Sequence, residues 1–211
     1  MGPSLFDPGV FDAGAAFLRG RDPVLARLME RCPDVRLVPD GKVSHFEALV
    51  EAIVYQQLSG GAAERIYSRL QVLFPGGRVS AEVLASLPEE ALRGAGLSQM
   101  KVRYLKDLAA HALQSENRLE RIHELPDDQV EEVLVGLRGI GPWSAHMFLI
   151  FRLGRTNVLP YGDLGIRKAI QRAYGLDALP TPTAVRSFGE RWTPYCTIAS
   201  LYLWRSLEER G

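Results

Sequence analysis

The sequence predicts an all-α fold, and two of its patterns support this prediction. Apolar residues recur at helical spacing in several stretches, as at Leu49, Val50, Ile53 and Val54 after Phe46, and this spacing places them on one face of a helix. No stretch shows the apolar–polar alternation of a half-buried strand. Glycine- and proline-containing segments separate the stretches, so we expect about ten short helices.

The composition narrows the classes of function. The 211 residues are enough for one large or two small domains with a real core. Twenty-five basic and 25 acidic residues balance, so any nucleic-acid contact has to be local and made partly by backbone N–H groups. Two cysteines are too few for a disulfide scaffold or a four-cysteine iron–sulfur cluster.

The sequence also indicates where the protein works. It contains no apolar run of about 18 residues and no basic-then-apolar signal segment. We therefore expect a reduced, cytoplasmic setting with no membrane partner.

The N-terminal segment is predicted to be peripheral. Residues 1–20 are rich in glycine and proline and weakly patterned, which is typical of a surface arm, and Asp22-Pro23 then predicts the start of a short helix. We expect residues 1–43 to form an arm and a short helix packed on the core, and residues 44–211 to form the main domain.

Ser44 and Glu47 form a capping-box pattern that predicts the start of the helix containing Phe46. Gln57 continues the apolar stripe of this helix, so its amide is predicted to face the core and to need partners. It is either a structural link or the edge of a pocket. Leu58 follows, and from the residues alone its side chain fits a cap over the core-facing side of the helix.

The stretch Leu137–Ala145 predicts a sharp turn between two helices, near residues 130–151. Gly139 and Gly141 alternate with apolar residues and allow a tight, left-handed backbone, and Pro142 suits the first turn of a helix. Such an αα-hairpin directs free N–H groups outward at a helix N-terminus, where a phosphate can bind. The same pattern also fits an ordinary helical corner.

Asp163 precedes an apolar helical stretch and follows Gly162. From the residues alone it is predicted to be an N-cap, with Arg167 one turn on as a partner for an ion pair.

The segments Leu137–Ala145 and Leu159–Lys168 together resemble the helix-hairpin-helix signature of a DNA glycosylase superfamily. Within it, the chain is most similar to the 3-methyladenine DNA glycosylase II family, with matching motifs from about Phe46 to Trp204. The resemblance implies an all-α, two-lobed helical bundle with the hairpin at the cleft between the lobes. It also implies a monofunctional DNA glycosylase that flips alkylated bases, such as 3-methyladenine, and excises them hydrolytically from duplex DNA in base excision repair.

The resemblance further implies roles for individual residues. Asp163 matches the catalytic aspartate, whose charge would stabilise the positive charge that develops on the sugar. The remaining implied sites are a base pocket of Trp143, Trp204 and Gln57, a DNA wedge at Leu58, and contacts to the DNA backbone at Gly139, Gly141, Ser144 and Lys101. Lys101 belongs to a Gly-Leu-Ser-x-x-Lys-x-x-Tyr-Leu segment, and it is more simply part of a solvated face.

The type of reaction depends on the residue at position 143. In bifunctional relatives a lysine two residues past the hairpin's second glycine forms a Schiff base and leads to strand cleavage. Trp143 stands there in this chain, which favours simple hydrolysis.

No cofactor is expected to be required. The resemblance implies a structural Na⁺ or K⁺ at the hairpin, held by the backbone carbonyls of Val135, Leu137 and Ile140. The expected partner is damaged double-stranded DNA, bound by a monomer that associates with the nucleoid. Cys196 stands where the family often has a basic residue.

Two other functions stay open at this point. One is a non-catalytic helix-hairpin-helix protein that binds damaged DNA, which would need neither Asp163 nor a pocket tryptophan. The other is the same fold acting on a different lesion, such as uracil, hypoxanthine or an oxidised purine.

Overall fold

The computed structural model describes residues 3–39, 44–114 and 119–208. Regular structure in these ranges is helical, and the one pairing of extended backbone there is an isolated antiparallel bridge between Ser4 and Arg155. The all-α prediction is confirmed. Among the helices of these ranges, none has the length and apolar character needed to cross a membrane.

The described ranges contain twelve α-helices and four short helical turns. The α-helices are α1 Val10–Arg21, α2 Pro23–Arg31, α3 His45–Tyr55, α4 Gly60–Gln71, α5 Ala81–Ser86, α6 Glu89–Gly94, α7 Gln99–Gln114, α8 Asp127–Val135, α9 Pro142–Met147, α10 Leu164–Tyr174, α11 Pro182–Gly189 and α12 Cys196–Glu208. The short turns are 3₁₀ at Pro75–Gly77, Ile122–Glu124 and Glu190–Trp192, and π-helical at Phe148–Arg152.

The chain forms two compact units, and their boundaries differ from the predicted ones. The first unit joins Met1–Pro39 to Leu149–Gly211, and the second is Asp40–Phe148. Residues 1–43 are therefore not an appendage to a domain of residues 44–211. Helices α1 and α2 pack on α12, so the two ends of the chain build one core together.

Helix α1 replaces the predicted surface arm. Phe11, Ala15 and Leu18 are buried on one face of it. Gly14 explains both the packing and the wrong prediction, because a Cβ there would lie only 2.4 Å from Ile198 Cδ1. Gly14 is thus one of the residues that make the segment look unstructured, and it is also the one that lets α1 approach the C-terminal part of the chain closely.

A buried carboxylate ties the start of α2 to the rest of the first unit. Asp22 Oδ1 accepts the backbone N–H groups of Val24 and Leu25 at 2.9 and 3.2 Å, which confirms the predicted N-cap. Its Oδ2 accepts the Tyr174 hydroxyl at 2.5 Å and the Trp192 indole N–H at 2.9 Å. Burial raises the pKa of Asp22, but these four hydrogen bonds outweigh it and leave the pKa below its usual value.

Replacing this carboxylate should weaken the fold in a pH-dependent way. Asp22→Asn leaves the buried Trp192 donor and the partly buried Tyr174 donor facing a neutral amide, so we expect the free energy of unfolding to fall by about 2 kcal/mol at pH 7. Because the folded pKa is lowered, the stabilisation is present above the unfolded pKa of about 3.9 and is lost as the pH falls through the folded value.

Urea unfolding of the wild type and of Asp22→Asn at pH 7 and at acid pH measures this effect. The difference between the two proteins should shrink towards acid pH. The exposed Asp177→Asn in the same unit serves as the control and should change little at either pH. A difference that is constant with pH would contradict the role of the charge.

Candidate functional site

The second unit contains the predicted hairpin. Helices α8 and α9 are joined by residues 136–141, and two tight backbone bonds turn the chain, from Leu137 N to Leu134 O at 3.0 Å and from Ile140 N to Leu137 O at 3.1 Å. Gly141 is the N-cap of α9 and is followed directly by Pro142, as the sequence predicts.

The two glycines of the hairpin have different functions. Gly139 has a φ of 86°, which a side chain disfavours, and a Cβ on it would lie 2.4 Å from Tyr104 Cδ2 of α7. Gly141 has an ordinary φ of −97°, and apart from its own helix and chain neighbours no atom of the described residues lies within 4 Å of where its Cβ would be. The predicted left-handed backbone is thus needed only at Gly139, whereas Gly141 leaves an open surface.

The N-terminus of α9 presents backbone donors. Its first helical bond runs from Ala145 N to Gly141 O at 3.0 Å, and in the part of the chain that the structure describes no side chain caps this end. The amide of Ser144 precedes that first bond, so it has no partner within the helix. This geometry fits an oxygen of a phosphate group.

The loop of residues 56–59, between α3 and α4, differs from the prediction. Ser44 Oγ accepts Glu47 N at 3.1 Å, as the capping-box pattern predicts, but α3 ends at Tyr55. Gln57 therefore lies outside the helix, exposed and with a φ of 58°, and its predicted place on the core-facing stripe is wrong. Leu58 follows it with 39% of its surface exposed.

Gln56 makes the structural link to another part of the fold that was one of the two alternatives for Gln57. Its Nε2 donates to Gly139 O at 2.7 Å and lies 3.5 Å from Ser144 Oγ. The sequence offered two adjacent glutamines, and only the position of the helix end decides which of them reaches the hairpin.

Lys101 at the start of α7 has a structural role that the sequence did not indicate. Its ammonium donates to Val54 O at 2.6 Å and to Gln56 O at 2.8 Å, and burial lowers its pKa. In these two bonds the positive charge of Lys101 lies against carbonyls at the end of α3. A contact of Lys101 with a DNA phosphate stays a prediction.

The first unit contains Asp163, whose carboxylate accepts hydrogen bonds from a backbone amide and from an indole. Its Oδ1 accepts the backbone N–H of Ile166 at 2.8 Å, which confirms the N-cap of α10, and also the indole N–H of Trp204 at 2.9 Å. A Cβ on Gly165 would lie 2.9 Å from Asp163 Oδ1 and 3.2 Å from Trp204 Cδ1. Gly165 therefore lets the carboxylate and the indole meet, a function that sequence analysis missed.

Aromatic and apolar surface lies beside this carboxylate. The Trp204 ring stacks on Phe151, with centroids 6.0 Å apart and planes 24° apart, and Phe151 is 44% exposed. Leu164, the residue after Asp163, is also exposed. The structure thus joins the predicted catalytic residue to one predicted base-pocket residue within a single unit. The other predicted pocket tryptophan, Trp143, belongs to the second unit and is half exposed at the start of α9.

The predicted cation ligands lie on the hairpin. Val135 is the last residue of α8, and the carbonyl of Leu137 already accepts Ile140 N, which leaves it one lone pair for an ion. Among the described residues, no group of three or more His, Cys, Asp or Glu side chains could hold a metal ion. The Na⁺ or K⁺ site stays a prediction.

Cys196 is buried at the start of α12. Its thiol lies 3.3 Å from Gly189 O, and burial raises its pKa to about 11. Because its side chain is buried within the first unit, it is part of the packing rather than a replacement for a basic residue that touches DNA.

Comparison with known proteins identifies the family. Residues 50–194 match the model of the HhH-GPD superfamily of base excision DNA repair proteins. The chain belongs to this superfamily. The resemblance to helix-hairpin-helix DNA glycosylases is therefore confirmed, and the matched segment includes the hairpin, Asp163 and the loop of residues 56–59.

Named relatives lie within the same group. The chain is 30% identical over 190 residues to the putative DNA-3-methyladenine glycosylase of Bacillus subtilis, an alignment that covers 87% of this chain and 66% of that protein. The chain thus spans slightly less than two thirds of the length of this relative.

Two solved structures have the same fold. The DNA-3-methyladenine glycosidase of Bacillus halodurans is 32% identical with a TM-score of 0.82, over 98% of this chain and 94% of that one. The 3-methyladenine DNA glycosylase of Schizosaccharomyces pombe, solved in complex with abasic DNA, is 28% identical with a TM-score of 0.80, over 94% and 98% of the two chains.

The two hairpin glycines provide a stability test. Gly139→Ala should lower the free energy of unfolding by about 2 kcal/mol or more, because it combines a left-handed φ with a clash against Tyr104. Gly141→Ala should change stability by less than about 0.5 kcal/mol, since it meets open space. Thermal unfolding of both variants beside the wild type measures the contrast, and equal losses would contradict the assignment.

Proposed function

We propose that this chain is a monofunctional DNA glycosylase, which flips alkylated bases such as 3-methyladenine out of duplex DNA and removes them by hydrolysis. The observation that supports this most is the Asp163 carboxylate, which the indole of Trp204 and an amide of α10 hold beside aromatic surface. A protein that only bound damaged DNA would need no carboxylate oriented in this way.

The proposed reaction follows from where charge develops. As the bond between C1′ and the base nitrogen lengthens, its electron pair moves to the base and positive charge grows on the sugar. The charge of Asp163 stabilises this sugar cation. Water then adds to C1′, and its proton passes by way of the carboxylate to solvent. An alkylated purine starts with a positive charge and leaves as a neutral base, so the reaction requires no strong acid at the base.

The aromatic surface supports the choice of substrate. A base that carries positive charge is attracted to the face of an indole ring, and the Trp204 ring lies one hydrogen bond away from the catalytic oxygen. The names of the relatives, DNA-3-methyladenine glycosylases, also support alkylated bases over uracil, hypoxanthine or an oxidised purine. The exposed Trp143 is a second candidate ring, and Gln57 stays a candidate for the pocket edge.

DNA binding in this proposal is local. The first-turn amides of α9, together with the open surface of Gly141 and the Ser144 side chain, receive the DNA backbone, and the exposed Leu58 enters the stack that the flipped base leaves. Trp143 occupies the position of the Schiff-base lysine, so the sugar–phosphate backbone stays intact. The reaction uses no cofactor, a Na⁺ or K⁺ at the hairpin would be structural, and the protein acts as a monomer at the chromosome.

Base release with an Asp163 variant tests the proposal. Wild-type protein incubated with methylated duplex DNA should release alkylated bases, which chromatography with mass detection identifies. Asp163→Asn should lower the rate by about a thousandfold or more, since it removes the charge while an amide oxygen still caps α10. Its affinity for DNA with an abasic-site analogue should remain within about threefold of the wild type.

The controls separate the alternatives. Asp177→Asn, an exposed change in the same unit, should keep full activity. Equal turnover by Asp163→Asn would eliminate the catalytic assignment. Tight binding of damaged DNA without any base release by the wild type would favour the non-catalytic binding protein instead.

The indole N–H has a measurable effect of its own. Trp204→Phe keeps an aromatic ring but removes the donor to Asp163, so we expect kcat to fall by about tenfold or more, the order of one hydrogen bond to a charged group. Single-turnover assays measure the chemical step separately from product release. An unchanged single-turnover rate would mean that the bond does not orient the carboxylate for the reaction.

A further inference from the structure

Hydrogen bonds from α7 and to the hairpin hold the start of the loop of residues 56–59. Lys101 of α7 donates to the carbonyls of Val54 and Gln56 at 2.6 and 2.8 Å. The last carbonyls of a helix lack partners within it, and a cation there is favoured by the helix dipole. The ammonium thus fixes the backbone where α3 ends and the loop begins.

The same loop is fastened to the hairpin through a side chain. Gln56 Nε2 donates to Gly139 O at 2.7 Å, so one residue is held at its carbonyl by α7 and at its amide by the hairpin. Gly139, which packs closely against Tyr104 because it has no Cβ, also accepts this bond.

These bonds account for an unfavourable backbone conformation. Gln57 has a φ of 58°. This conformation is unfavourable for any residue that has a side chain, and it persists only when the surroundings enforce it. The result is that Leu58 projects from the loop with its side chain exposed, while its amide bonds Tyr55 O at 3.3 Å.

The loop has space to change if it is released. A cavity of about 200 Å³ lies beside it and is lined by the loop together with Ile66, Gly96, Ser98 and Lys101. Leu58 itself borders this space, so its side chain has room to leave the exposed position once the ammonium is removed.

We propose that Lys101 and Gln56 are positioning residues that fix Leu58 in its exposed conformation before DNA binds, an inference that rests on the proposed wedge function of Leu58. A wedge that is already formed pays no ordering entropy at the moment of base flipping. The effect is therefore confined to substrates in which a base has to leave a stacked duplex.

Lys106 supplies a matched control on the same helix. Its ammonium also donates to carbonyls at the end of a short helix, those of Leu84 and Ala85 at 3.0 and 2.8 Å and that of Leu87. Lys106→Met therefore removes the same kind of helix cap as Lys101→Met, but it does so at α5 instead of at the loop.

The first arm of the experiment compares two substrates, methylated duplex DNA and the same strand alone. Lys101→Met should lower base release from the duplex about tenfold more than it lowers release from the single strand, the order of a lost charge-assisted hydrogen bond. Lys101→Arg should restore most of the duplex activity, because a guanidinium can also donate to both carbonyls. Lys106→Met should lower the melting temperature without changing the duplex-to-single-strand ratio.

The second arm is hydrogen exchange of the free protein, which needs no activity. Exchange of the amides of residues 56–59 should rise about tenfold in Lys101→Met, for the same lost bond, and not in Lys106→Met. Gln56→Met tests the other attachment and should show the same duplex-selective loss, including in the case that Lys101→Met does not fold.

The two arms distinguish the two ideas. If the wild type releases no base from either substrate, the proposed function fails, and exchange alone then decides whether the loop is held as described. Unchanged exchange in Lys101→Met, or equal losses on duplex and single strand, would overturn the positioning role.

Discussion

The hydrogen bond from the Trp204 indole to Asp163 is the interaction on which the proposed chemistry depends. It brings a carboxylate from the start of α10 against a ring from α12, and Gly165 provides the room for it. The backbone N–H of Ile166 and the indole N–H of Trp204 both donate to Asp163 Oδ1, and these two neutral groups orient the carboxylate. Orientation and charge are the two properties that stabilisation of a sugar cation requires.

The two compact units contribute different parts of the proposed function. The first contains the carboxylate and its aromatic neighbours, and the second contains the hairpin and the loop with Leu58. A chain with balanced charges has no general attraction for a polyanion, so backbone amides and a few exposed side chains have to provide the contact with DNA. In the proposed reaction, contacts to the phosphates position the protein, and the aromatic surface beside Asp163 selects the base.

The sequence predicted the features that local spacing determines. The caps at Ser44, Asp22 and Asp163 and the turn before Pro142 appear where the patterns place them, because each depends on a few consecutive residues. Distant contacts were not predictable in this way. Helix α1 looked unstructured because Gly14, which allows its close packing, is also a weak helix former, and the joining of both chain ends in one unit has no local signal.

The same limit applies to the site. Helix α3 ends at Tyr55, so that Gln56 rather than Gln57 binds the hairpin, and a surface-like lysine proved to be bound to two carbonyls. The family resemblance suggested which residues matter, but it did not show how they are held. Only the folded chain shows that Lys101 and Gly139 both bind Gln56 of one loop.

The state of the two thiols has a consequence for survival of the protein under chemical stress. Both Cys32 and Cys196 are buried, and burial raises the pKa of the Cys196 thiol to about 11, so this thiol stays protonated at neutral pH. The thiolate is the form that attacks electrophilic methyl donors. An enzyme that acts on methylated DNA, as proposed for this chain, meets the reagents that caused the methylation, and the Cys196 thiol is both protonated and buried away from them.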